Sequence, residues 1–255
     1  MRKIFIFSSL VFLINSCKKE DISVKYNTSN LSDYLKSESN QYTLTRQLIA
    51  CAASTDGADP EQSTYPISIF YYPVSGAFDV RYFEINKVED DQNNYENYTF
   101  NNLQQVPVFN GYLGRFKSNV SQDTWCIITY KTLGKLHICS PIKIKHYSQP
   151  TLFAPQVINV QNNGVQPKFT WVDSTSINNA IYFQVVSDAN DNLISGTYTY
   201  DKHWDFYDLN NVVLNIRDVN PIPSLTNTTN YNFTLMGVSV DNWVNIAGSK
   251  GFVTQ

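Results

Sequence analysis

Histidine, cysteine, methionine and glycine are scarce in this sequence, and basic side chains do not outnumber acidic ones. Each shortage removes a class of function. The three histidines, His137, His146 and His203, stand beside no G-x-S-x-G or comparable nucleophile motif, so nothing local marks an enzyme. Two carboxylates for glycoside cleavage would have to be brought together in space, and two small modules offer a cleft only where they meet. The four cysteines form no C-x2-C pair. His137 and Cys139 share a strand face, but with no second histidine nearby they fall short of a zinc signature. A formal net charge of −3 with no basic stripe argues against a nucleic-acid partner.

What is present begins with MRK and the apolar run IFIFSSLVFLI, too short to cross a bilayer core of about 30 Å as a helix. A charged start, a short apolar run and a small residue before a cut make a secretory signal over residues 1–16. Ile14, Asn15, Ser16 and Cys17 resemble the lipobox of bacterial lipoproteins. That resemblance implies cleavage before Cys17, a diacylglycerol on its thiol and a third acyl chain on the freed amine. Several chains are needed because each buried methylene contributes only about 0.8 kcal/mol. The alternative is an ordinary cleaved signal with an incidental cysteine. Lys19, Glu20 and Asp21 resemble the charged export signal of Bacteroidota surface lipoproteins, which implies the outer face of the outer membrane; a solvated tether is the other reading. Without residues 1–16 the chain carries 17 basic against 22 acidic side chains, a mild acidity that suits solubility.

Residues 17–40 hold few large apolar groups and are expected to form the lipidated N-terminus and a flexible tether, with LSDYLKSE capable of one or two helical turns. From residue 41 helical periodicity is absent and short β-branched and aromatic runs alternate with turn residues. The expected class is all-β, with two tandem immunoglobulin- or fibronectin-like sandwiches over 41–148 and 149–255. In the second, QVINV, PKFTW, AIYFQVVSD, LISGTYTY, VVLNI, YNFTLMGVSV and KGFVT read as seven strands. Trp171 on the second strand and LTNTTNY at 225–231 make this half resemble a fibronectin type III domain. The resemblance implies that Leu225 fills the core and that Tyr231 forms a tyrosine corner, with Asn227 where the family has proline. The first half repeats the rhythm without that corner, and TLGK is a hairpin turn using Gly134. The short YSQP linker is expected to join the modules end to end.

In such a topology the loops 173–179, 201–211 and 241–248 gather at one tip. Trp204, Trp243, Asp205, Asp241 and Asn245, with His203, Phe206, Tyr207 and Asp208, would share it, and flat rings beside polar groups suit a glycan. The same tip faces the first module, so the rings equally suit packing of the joint. Glu89, Asp90 and Asp91 could meet Asp205 or Asp241 around Ca²⁺, and DANDN at 188–192 has a similar look, although no calcium-loop motif is present. Cys126 and Cys139 lie on facing strands, near the limit for a disulfide; with Cys51 as a third thiol, buried free cysteines are the alternative. The functional expectation is a non-catalytic envelope lipoprotein that binds a glycan or docks a protein. The alternatives are a structural subunit of an envelope complex and a hydrolase.

Overall fold

The computed structural model describes residues 27–55, 65–161, 164–173, 178–216 and 221–255. Cys17, Lys19, Glu20, Asp21 and most of the 173–179 loop lie outside the described residues.

The first described element is a helix, α1 (Leu31–Glu38), within the stretch expected to be tether. Asn30 caps it by accepting from Asp33 N, and Leu31 and Tyr34, one turn apart, are fully buried. Tyr34 stacks on Phe83 at 5.7 Å between ring centroids. So short a helix is marginal alone; here the core under it supplies the stability, and residues 31–38 belong to the folded body.

Strands β1 (Thr43–Leu48), β2 (Ala50–Ser54), β3 (Tyr65–Tyr71), β4 (Phe78–Glu84) and β5 (Thr99–Asn101) follow. Then come β6 (Gln105–Val108), β7 (Leu113–Val120), β8 (Thr124–Thr132), β9 (Lys135–Cys139) and β10 (Ile142–Ile144). They form two sheets. One has the order β1-β9-β8-β4-β5, with β10 also on β8, and the other has the order β2-β3-β7-β6. The run LTRQLIACA changes sheets at Ile49, so one apolar run supplies two strands. The β8–β9 turn uses Gly134 at φ +70, as expected. Gly114 faces Tyr71, where an added Cβ would meet the ring at 2.0 Å.

The second half contains β11 (Leu152–Phe153), β12 (Ile158–Gln161), β13 (Lys168–Trp171), β14 (Ile181–Asp188) and β15 (Leu193–Thr199). It continues with β16 (His203–Asp205), β17 (Val212–Asn215), β18 (Asn230–Val238) and β19 (Val244–Val253). The sheet β11-β19-β18-β14-β15-β17 faces the smaller sheet β12-β13-β16. Trp171, Leu225 and Tyr231 are buried in the core between them, and Thr226 N donates to the Tyr231 hydroxyl at 2.9 Å. The tyrosine corner therefore forms without proline at 227.

The two sandwiches lie side by side, not end to end. Alternate residues of β3 face opposite ways: Ile67, Ile69 and Tyr71 enter the first core, while Phe70 points outward. In β14, Tyr182 and Val186 enter the second core while Phe183 and Val185 point out. These outward apolar faces meet, Leu113 packing with Phe183 and Val185, and Ala53 with Val238 and Val244. The order is four layers: the β8 sheet, the β3 sheet, the β14 sheet and the β13 sheet. Apolar outward faces decide the arrangement, since a solvated contact would leave them in water.

Candidate functional site

The tip expected from topology does not assemble. The segment 201–211, expected as a loop, contains β16, in which Trp204 sits opposite Phe169 and is fully buried. Its ring stacks on Phe169 at 6.0 Å, and its Nε1 donates to Asp208 O at 2.7 Å. The alternation of Trp204 and Phe206 around Asp205 is the strand signal that the polar flanks hide. VVLNI forms the expected strand, β17, at the edge of the larger sheet beside β15. Trp243 is also fully buried, but within the core of the first half. Neither ring presents a face to a sugar. Asp205 pairs with Lys168 at 3.0 Å, and Asp241 pairs with Lys145 at 3.1 Å. Asn245, 2% exposed, donates to Asn178 O and Asn179 Oδ1 and accepts from Gln149 Nε2. His203 is exposed, and Tyr207 and Asp208 stay with Trp204.

Of these residues Trp204 packs the core of the second half, while Asp241, Trp243 and Asn245 build the joint. Ala52 of β2 bridges Trp243, and its N–H donates to Asn242 O at 3.0 Å. Lys143 N donates to Asp241 O, Asn242 Nδ2 to Pro141 O, and Trp243 Nε1 to Gln149 O at 2.7 Å. The 239–243 turn is thus plugged into the first half through backbone and side chain together.

A second polar cluster, which no sequence motif marks, closes the joint beside the linker. Ser54 Oγ lies 2.6 Å from His146 Nδ1, Thr151 N donates to Ser54 Oγ, and Ser54 N donates to Thr151 Oγ1. Thr151 Oγ1 donates in turn to Val244 O at 2.7 Å. Burial lowers the His146 pKa, against a smaller opposing pull from Asp123, which favours the neutral ring. A serine against a neutral histidine is a pairing used in nucleophilic catalysis. Here Ser54 is 4% and His146 6% exposed, so the hydroxyl meets no substrate in this conformation and ties strand to linker instead.

Cys126 and Cys139 form no disulfide. Ile138 opposite Thr129 puts Cys139 beside Ile128, whose N–H donates to its Sγ at 3.1 Å, while Cys126 pairs with Glu84 and Ile142. The two positions are diagonal, about 7–8 Å between Cα atoms, at the edge of disulfide reach. Cys51, Cys126 and Cys139 are all free, and burial pushes the thiols of Cys51 and Cys139 up to about 12. His137 stacks on Tyr130 and bonds Thr132 Oγ1. Among the described residues no three His, Cys, Asp or Glu side chains gather to hold a metal ion. In the 86–97 loop, Asp91 Oδ1 accepts from Asn93 N, and Trp125 Nε1 donates to Val88 O. Asp188 closes its own turn by accepting from the N–H groups of Asn190 and Asn192.

Between the outward faces of the β3 and β14 sheets lies a partly open cavity of about 220 Å³. Cys51, Phe70 and Leu113 line one wall, and Phe183, Tyr198 and Met236 the other.

No protein-family model matches the chain, and no curated protein matches it. Among solved structures it is similar to the FN1–FN3 domains of chicken CNTN1, at 10% identity and a TM-score of 0.31, covering 84% of this chain and 68% of that one. It is also similar to the purple acid phosphatase PPD1 from yellow lupin (Lupinus luteus) seeds, at 14% identity and a TM-score of 0.25. That match covers 82% of this chain and 41% of the phosphatase. At these scores neither likeness carries an argument about function.

Proposed function

We propose that this chain is a non-catalytic binding or scaffold module of a bacterial cell envelope, held at the outer membrane by acyl chains on Cys17. The observation that carries the module reading is the joint: two sandwiches share an apolar face and exchange Trp243, which makes one stiff body. Of the side chains that suggested sugar or metal binding, Trp204, Trp243, Asp205, Asp241 and Asn245 are engaged in ring stacks, ion pairs and hydrogen bonds within that body. The lipobox residues Ile14 to Cys17 support the anchor, and about a dozen residues between Cys17 and α1 serve as tether. Docking of an envelope protein fits this better than glycan capture at Trp204 and Trp243. The free edge at β17, where Val213 and Leu214 are exposed, suits strand addition by such a partner.

Mass spectrometry of the mature N-terminus should find a triacylated Cys17, and gentle solubilisation should bring down one stoichiometric envelope protein. An unmodified thiol at Cys17 would remove the anchor, and a chain that purifies alone from its native membrane would remove the docking role.

A further inference from the structure

The contact between the two sandwiches is apolar and close-packed over most of its extent, yet it keeps open a cavity of about 220 Å³. Protein interiors leave few voids larger than a water molecule. An apolar cavity of about 150 Å³ stays dry and takes benzene, so this one has room for a larger guest. Its walls are mostly carbon. On one side Phe183 and Tyr198 stack on each other at 4.5 Å and 25°, and Met236 lines the same cavity. A methionine side chain is long and unbranched, so it can adjust to the outline of a guest.

Two polar groups interrupt the apolar lining. Tyr198, 9% exposed, brings a phenol hydroxyl and Cys51 a thiol. Burial leaves that thiol protonated and unreactive, a weak donor only. An aromatic pair, an adjustable side chain and a phenol hydroxyl together describe a recognition surface for a compact ring molecule with a polar edge.

We propose that the cavity between the β3 and β14 sheets binds a compact aromatic molecule of one or two rings, packed against the Phe183–Tyr198 pair, with its polar edge bonded to the Tyr198 hydroxyl. Residues from both halves complete the site, so it exists only because the sandwiches lie side by side. It does not depend on whether Cys17 carries lipid.

The chain has two methionines, Met1 and Met236, so methyl-¹³C methionine labelling places one reporter in the cavity wall. Titrating the full chain with indole should move the Met236 methyl resonance saturably, through the ring current of the guest. Cys51→Phe, which fills the cavity from one wall, should abolish the shift. Met236→Trp fills it from the other and, read by calorimetry, should abolish indole binding, so the test survives if one variant fails to fold. Tyr198→Phe keeps the ring and removes the hydroxyl. It should weaken indole about fivefold while leaving benzene within about twofold. A Met236 methyl that stays put up to the solubility limit of indole would overturn the proposal. So would equal indole affinity in folded Cys51→Phe and the unchanged chain.

Discussion

Trp243 belongs to the second half by chain and to the first by packing, and that double membership makes a sharp test. If the ring closes the joint, Trp243→Ala leaves a hole in the first core and frees Gln149 O from its donor. The expected cost is about 3–5 kcal/mol, read as a lower urea midpoint. A surface tryptophan serving a sugar would cost almost nothing. His146 offers a second test, through pH. Its folded pKa is depressed below the ordinary 6.5 by burial, and that of His137 by burial and then Lys135. Above pH 6.5 both rings are neutral in folded and unfolded chains alike. As pH falls through 6.5 the unfolded state takes up protons first, so stability declines until the folded rings protonate as well. The melting temperature should therefore drop between pH 7 and 5, before the carboxylates titrate, and the His137→Gln, His146→Gln double variant should flatten that slope. Single residues were only partly legible. Leu225, Tyr231 and Trp171 carried a recognisable pattern, whereas the Ser54–His146 contact joins positions 92 apart and leaves no local trace.

At the level of elements, helix α1 shows how context overrides local propensity. Residues 31–38 contain three large apolar side chains, Leu31, Tyr34 and Leu35, too few to hold a free helix. Around Tyr34 the protein arranges Lys131 between Glu38 and Asp79, at 2.8 Å from each, with Arg81 above the ring at 4.2 Å. Burial works against the Lys131 charge, but the two carboxylates hold its pKa above the ordinary value. Leu31→Ala should cost about 2–5 kcal/mol, measured by denaturation, and a chain starting at residue 41 should lose more and expose Phe83. A true tether would be removable without effect. The unexpected strand has a similar cause. β16 hides among Asp, Lys and Asn because only Trp204 and the following Phe206 face inward, while VVLNI forms the strand it is read as, at an edge that its composition does not reveal. Composition reports how apolar a segment is, and it does not report which neighbour covers it.

For the whole molecule, the all-β class and the sandwich of the second half could be read from strand rhythm and the corner motif. The side-by-side arrangement was also written in the sequence, in a form easy to pass over. ISIFYY and IYFQVV do not alternate apolar with polar, as strands with one wet face should. Strands buried on both faces read as continuous apolar runs, and β3 and β14 are the strands that meet across the joint. Two sandwiches linked only end to end would unfold independently, giving two heat-absorption transitions. Two that share a face should unfold together, because separating them exposes Phe183, Val185 and Leu113 to water at a cost neither half recovers alone. Scanning calorimetry of the full chain should accordingly give one transition, with calorimetric and van't Hoff enthalpies in agreement. Val185 is 1% exposed and faces the joint rather than either core, so Val185→Lys places a charge at the shared face while sparing both cores. That variant should split the single transition into two, the first half and the second melting apart. Two transitions in the unaltered chain, or an unsplit one in a folded Val185→Lys, would mean that the shared face does not couple the halves.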